Sequence, residues 1–169
     1  PAPAIAQPQM PTQAKRAMRI VLAHDWLCGY RGGEGVLDRL VQVVSRHHQL
    51  VDLFVMFDDG GSVSPAIDAT PRTVSKVGKW PLASGPLRRW LMPFYPKAIR
   101  DLSRKLDALH EREPIDLIIS SSSAAIKGLR PPYGVPHLCY CHSPPRYVWS
   151  QAGEYTRDSL LRSAGLKLF

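Results

Sequence analysis

The sequence predicts an α/β protein, a Rossmann-like parallel sheet with helices on both faces. Two observations carry that prediction. Short apolar, β-rich runs alternate along the chain with stretches of helical periodicity. The loops richest in glycine, serine and proline each follow one of these runs. In a parallel sheet such loops gather at the carboxyl edge of the strands, where ligands bind.

The elements follow in order. Met18 to His24 is the first strand. A loop containing Gly29, Gly32, Gly33 and Gly35 leads into a helix whose apolar stripe is Val36, Leu37, Leu40, Val43 and Val44. Leu50 to Phe57 is the second strand, and Asp58-Asp59-Gly60-Gly61 is a turn. Thr73 to Val77 is a short third strand. Gly78 to Pro93 is irregular and punctuated by proline. Tyr95 to Leu109 is an amphipathic helix burying Tyr95, Ala98, Ile99, Leu102, Leu106 and Leu109, with Pro96 acceptable in its first turn. Ile115 to Ile119 is a strand, Ser120 to Ser123 a polar turn able to cap a short helix, and His137 to Cys141 a strand. From Tyr147 onward the pattern is helical.

At 169 residues, 44% of them apolar and 21% charged, the chain has the composition of one globular domain with its own core. We assign the domain to residues 18–169, with its carboxyl-terminal end incomplete. Residues 1–17, rich in Pro, Ala and Gln, are expected to be a disordered tail. Three clustered cysteines do not make a disulfide framework and suit a reducing compartment. No run approaches the ~20 apolar residues that span a bilayer, and no signal peptide is evident. A cytoplasmic location is the expectation.

The net charge of +8 is concentrated. Between Thr70 and Arg112 ten basic residues face three acidic ones, which suggests an anionic partner or a solubilising surface. Within this block Lys79, Trp80, Arg88, Arg89, Trp90 and Lys97 combine cations with aromatics, as at an anionic membrane surface. Nucleic acid is the competing partner. It is not expected, because no nucleic-acid motif accompanies the charge.

Three groups could carry chemistry. Gly32-Gly33-Glu34-Gly35 opens a helix after a strand, where backbone amides can approach phosphate; a tight turn without ligand explains it equally well. His142-Ser-Pro-Pro-Arg146 ends a strand, pairing a proton-handling side chain with an anion-binding one on a loop stiffened by proline; a structural loop with a satisfied histidine explains it equally well. Asp25, just after the first strand, either hydrogen-bonds an acceptor or caps its own loop. The cluster His137, Cys139, Cys141 and His142 does not suit zinc. Its cysteines alternate within a strand where structural zinc prefers a C-x₂₋₄-C turn, so no metal is expected and the thiols are read as buried.

Taken together, these segments resemble the family-4 glycosyltransferases. The resemblance rests on Met18-Arg-Ile-Val-Leu-Ala-His24-Asp25-Trp26-Leu27, Gly32-Gly33-Glu34 with Val36-Leu37, and Leu91-Met92-Pro93 with Ala98-Ile99. It continues through Asp116-Leu-Ile-Ile-Ser120-Ser-Ser, Lys127-Gly128 and His137-Leu-Cys-Tyr140-Cys-His142-Ser-Pro-Pro-Arg146-Tyr147-Val-Trp149. It implies one half of a GT-B architecture, the amino-terminal, acceptor-side domain of a retaining enzyme that needs no metal or other cofactor. The substrates implied are a nucleotide-sugar donor and a polysaccharide or lipid-linked glycan acceptor. Gly32 and Gly33 would lie near the donor diphosphate and His142 would face the transferred sugar. Asp25, Glu34, Ser122 and Arg146 would lie on the acceptor side or its loops. The basic, aromatic stretch would rest on the inner face of the cell membrane. The carboxyl-terminal donor half is absent from the sequence, so this chain alone is expected to lack turnover. The rival is a stand-alone Rossmann-like module for nucleotide-sugar or anionic lipid.

Overall fold

The computed structural model describes residues 16–142. Residues 1–15, the loop residues Pro144, Pro145 and Arg146, and the helix expected from Tyr147 lie outside the described residues, as do the side chains of Pro86 and Arg89.

Five parallel strands form one sheet. They are β1 (Arg19–Leu27), β2 (Gln49–Asp58), β3 (Arg72–Val74), β4 (Leu117–Ser122) and β5 (His137–Cys141), in the order β3-β2-β1-β4-β5. Between them run the helices α1 (Gly32–His47), α2 (Pro65–Asp68) and α3 (Tyr95–Arg112). Three 3₁₀ turns, Val77–Lys79, Pro86–Arg89 and Met92–Phe94, precede α3, and a fourth, Ile126–Gly128, follows β4.

Strand alternation divides the core in two. Val21 and Ala23 of β1 and Phe54 and Met56 of β2 pack beneath α3 with Ala98, Leu102 and Leu106. Ile20, Leu22, Leu53 and Val55 face the other way, against Leu37, Val41 and Val44 of α1 and Ile67 of α2. Helices therefore cover both faces, as the sequence predicts. The periodicity read for α3 matches its buried stripe closely. That of α1 needs correction. Its buried stripe is Leu37, Val41 and Val44, and Val43 points into water. A run of valines carries no phase of its own, and packing against β1 and β2 chooses it.

Two further expectations change. Ser120 to Ser122 continue β4 and are buried where a turn was predicted. Their hydroxyls are each taken by a neighbouring side chain, those of His137, His142 and Asp25 respectively, so little polarity is lost to burial. Cys139 and Cys141 are exposed where the sequence reads them as buried, because among the described residues β5 is the last strand of the sheet and has a neighbour on one side only.

One glycine is required by packing. A Cβ at Gly78 would stand 2.0 Å from the Met56 carbonyl oxygen, so only glycine lets the Val77–Lys79 turn sit against β2.

Candidate functional site

Register brings the site together. His24 on β1 lies opposite Ser121 on β4, which lies opposite Tyr140 on β5, two residues before His142. The His142 amide donates to the Ser122 carbonyl at 3.0 Å, extending the ladder one step past β5. Alternation puts His24 on the α1 side of the sheet and Asp25 on the other.

On the α1 side, two imidazoles hang on Ser121. His24 Nδ1 is 2.8 Å from the Ser121 carbonyl oxygen, so this nitrogen carries the proton and donates. Burial pushes the His24 pKa below its ordinary value; the charges of Asp25 and Glu34 and the Ser121 bond oppose that shift, and His142 adds to it. His24 is thus a neutral imidazole with Nε2 unprotonated. Ser121 Oγ lies 2.8 Å from His142 Nε2. The Ser121 side chain is fully buried, and His142 is its hydroxyl's one partner among the described residues. Donation by this hydroxyl would make Nε2 of His142 the acceptor and put the ring proton on Nδ1. The Tyr140 ring packs edge-on against this imidazole, with centroids 5.0 Å apart.

The amino terminus of α1 closes this group. Gly32, Gly33 and Glu34 form its first turn, inside the helix and not in a loop before it. A Cβ at Gly33 would lie 3.6 Å from His24 Cε1 and 3.9 Å from His142 Nε2, whereas one at Gly32 would meet nothing within 4 Å. Gly33 thus keeps open the space between the two histidines, next to the positive end of a 16-residue helix. Glu34 is buried and accepts the Arg31 amide at 3.1 Å, which makes it a cap of α1.

On the opposite side Asp25 is closed off. Its two carboxylate oxygens accept the amides of Ser123, Ala124, Ala125 and Ile126 at 2.6 to 2.9 Å, and the Ser122 hydroxyl donates to Oδ2 at 3.2 Å. Of the two uses read for Asp25, this is the capping one. The carboxylate holds the turn after β4, and Ser122 is part of that cap. Neither presents a free group to a ligand.

Sequence reading thus singled out His142, Gly33, Asp25, Glu34 and Ser122, and the fold divides them: His142 and Gly33 converge, while the other three cap backbone. It passed over His24 and Ser121 as site residues. Their signal was position alone, at the carboxyl ends of neighbouring strands. Cys28 is half-buried with its thiol pushed up by burial, against the effect of the Arg88 guanidinium, and is no activated nucleophile. Among the described residues no three His, Cys, Asp or Glu side chains are grouped to hold a metal ion. No helix among them is long and apolar enough to cross a membrane. A depression of about 530 Å³ between α1 and α2, lined by Gln42, Arg46 and Thr70, is built from other residues than these and brings no titratable cluster together.

No protein-family model matches the sequence, and no curated protein matches it. Two solved structures are similar at the level of the chain trace. One is the apo form of the lipopolysaccharide outer core galactosyltransferase WaaB, with TM-score 0.40 and 14% identity over 63% of this chain. The other is CalG4, the calicheamicin glycosyltransferase, with TM-score 0.39 and 13% identity over 90% of this chain. The chain spans 27% and 42% of the lengths of those two proteins.

Proposed function

We propose that this chain is the acceptor-side half of a retaining, metal-independent GT-B glycosyltransferase that transfers a sugar from a nucleotide-sugar to a polysaccharide or lipid-linked glycan. Two things support the reading: the ordered family-4 motifs, and the convergence of their separate pieces at one edge of the sheet. The observation that carries it is the meeting of Gly33 and His142. They come from motifs at opposite ends of the domain and line one space with His24.

In this reading the first-turn amides of α1 face the donor diphosphate, and Gly33 leaves room for it. His142 donates Nδ1–H to an oxygen of the sugar. Ser121 fixes the ring so that Nδ1 is the nitrogen offered, which makes His142 a hydrogen-bond donor and not a base in its neutral form. The charge that develops on the leaving nucleotide is stabilised from the donor-binding half of such an enzyme.

The test is kinetic, on the complete enzyme. His142→Ala should lower turnover by roughly 10²- to 10⁴-fold, as for a positioned proton-handling or polar group. Gly33→Val should weaken donor binding while the protein stays folded, because even its Cβ enters the space between the two histidines, which it meets at ordinary contact distance. Wild-type turnover in His142→Ala, or turnover by this chain alone, would overturn the proposal. A spectroscopic arm isolates Ser121. Long-range ¹⁵N–¹H spectra at alkaline pH should show His142 as the Nδ1–H tautomer, and Ser121→Ala should turn it into a mixture.

A further inference from the structure

The segment before α3 is built the wrong way out. Trp80, Leu82, Leu87, Trp90 and Phe94 are each between 39% and 66% exposed. They are nonetheless held in place. Val77, Gly78 and Ala83 are buried beneath them, the Gly78 amide donates to Ser75 Oγ at 2.9 Å, and the Tyr95 hydroxyl donates to the Arg88 carbonyl at 3.2 Å. Trp80 and Phe94 pack edge-on, with ring centroids 5.4 Å apart. Leu82 has φ of 59°, the only non-glycine residue with positive φ among those described, and it is the most exposed of the five. A leucine in that conformation is strained, and here the strained residue holds an apolar side chain in water.

The charge around this patch has one sign. Residues 78–100 contain five Lys or Arg and no Asp or Glu. Lys97 Nζ lies 5.8 Å from the Trp80 ring centre, and the Arg88 guanidinium stacks 4.8 Å over Trp26. Among the described residues no carboxylate pairs with Lys79, Arg88 or Lys97. Elsewhere acids answer bases: Arg72 with Asp58 and Asp68, and Lys105 with Asp101.

We infer that residues 79–97 form a docking surface for an anionic lipid bilayer, with Leu82 and Trp90 entering the boundary layer and Lys79, Arg88 and Lys97 contacting headgroup phosphates. Exposed tryptophans flanked by unpaired cations fit that boundary: the rings take its apolar depth and the cations its phosphates. A protein partner would have to supply an acidic, apolar groove to match, and nucleic acid offers no apolar layer for Leu82. The Arg88–Trp26 stack joins the surface to the carboxyl end of β1, one residue from Asp25. Resting on the glycosyltransferase reading, this favours the lipid-linked class of acceptor, since the bilayer would present it beside the site. The bilayer contact itself does not depend on that reading.

The experiment uses the full chain with vesicles of phosphatidylcholine, with and without phosphatidylglycerol. Sedimentation with the anionic vesicles only, weakened by salt, is expected, along with a blue shift of tryptophan emission. Leu82→Asp should weaken binding about tenfold without harming the fold, because Asp tolerates the positive φ better than Leu. Lys97→Glu should do the same by removing one headgroup contact and adding a repulsion, worth about tenfold or more. Val43→Asp, at an exposed site on α1, should change nothing. Equal binding to neutral vesicles, indifference to both surface variants, preference for duplex DNA, or self-association lost with Leu82→Asp would each overturn the proposal. His142→Ala should bind vesicles like the wild type, so failure here and failure of the sugar-transfer reading are separate results.

Discussion

Residues 120–125 are small or polar and lie mostly inside the molecule, whereas residues 80–94 hold Trp80, Leu82, Leu87, Trp90 and Phe94 outside. Both segments break the usual sorting of side chains, in opposite directions. The first resolves its inversion internally: Asp25 accepts four amides, and the serine hydroxyls find Asp25, His137 and His142. The second has no such internal answer: among the described residues no carboxylate pairs with its cations, and its largest apolar side chains are exposed. A closed polar network contributes to stability, and an open apolar surface contributes to binding. Substitution should separate the two.

The largest effect is expected in the closed segment. Asp25→Ala leaves four amides and a buried hydroxyl without their acceptor, and should cost about 3–5 kcal/mol in denaturant unfolding. Asp25→Asn keeps one oxygen and should cost less. A loss under about 1 kcal/mol for Asp25→Ala would mean that the turn after β4 is held by something else.

A smaller effect follows from pH. Burial lowers the pKa of His24 and also that of His137, where donation by the imidazole to the Leu129 backbone carbonyl partly opposes it. Below the ordinary histidine value of about 6.5 the unfolded chain takes up protons that the folded chain refuses. Stability is therefore full above that pH and falls as pH drops through it, by at most about 1.4 kcal/mol per pH unit for each histidine. His24→Asn places an amide N–H near the position of Nδ1 and should flatten part of this slope. An unchanged slope between pH 6.5 and 5 would remove His24 from the account.

The smallest effect belongs to the open segment. Leu82→Gly relieves the positive φ and should leave stability unchanged or raise it by up to about 1 kcal/mol, while vesicle binding falls. If it destabilises the fold as Asp25→Ala does, Leu82 is a packing residue and the contrast between the segments disappears.

Much of the sheet was determined by local sequence. The apolar runs of β1 and β2 and the stripe of α3 are legible because period and composition agree there, and burial on both faces demands near-continuous apolar strands. The glycines before Val36 and His142 after Cys141 were legible as candidates because each follows a strand. Tertiary structure alone decided the rest. The phase of α1, the serines inside β4 and the exposure of Cys139 depend on which strands neighbour which. The roles of Asp25, His24 and Ser121 depend on parallel register, which brings residues about a hundred positions apart within hydrogen-bond reach. Spacing along a chain sets which face a side chain takes on its own element. Only pairing across the sheet sets what that face meets, and there a carboxylate becomes a cap and a serine meets two histidines.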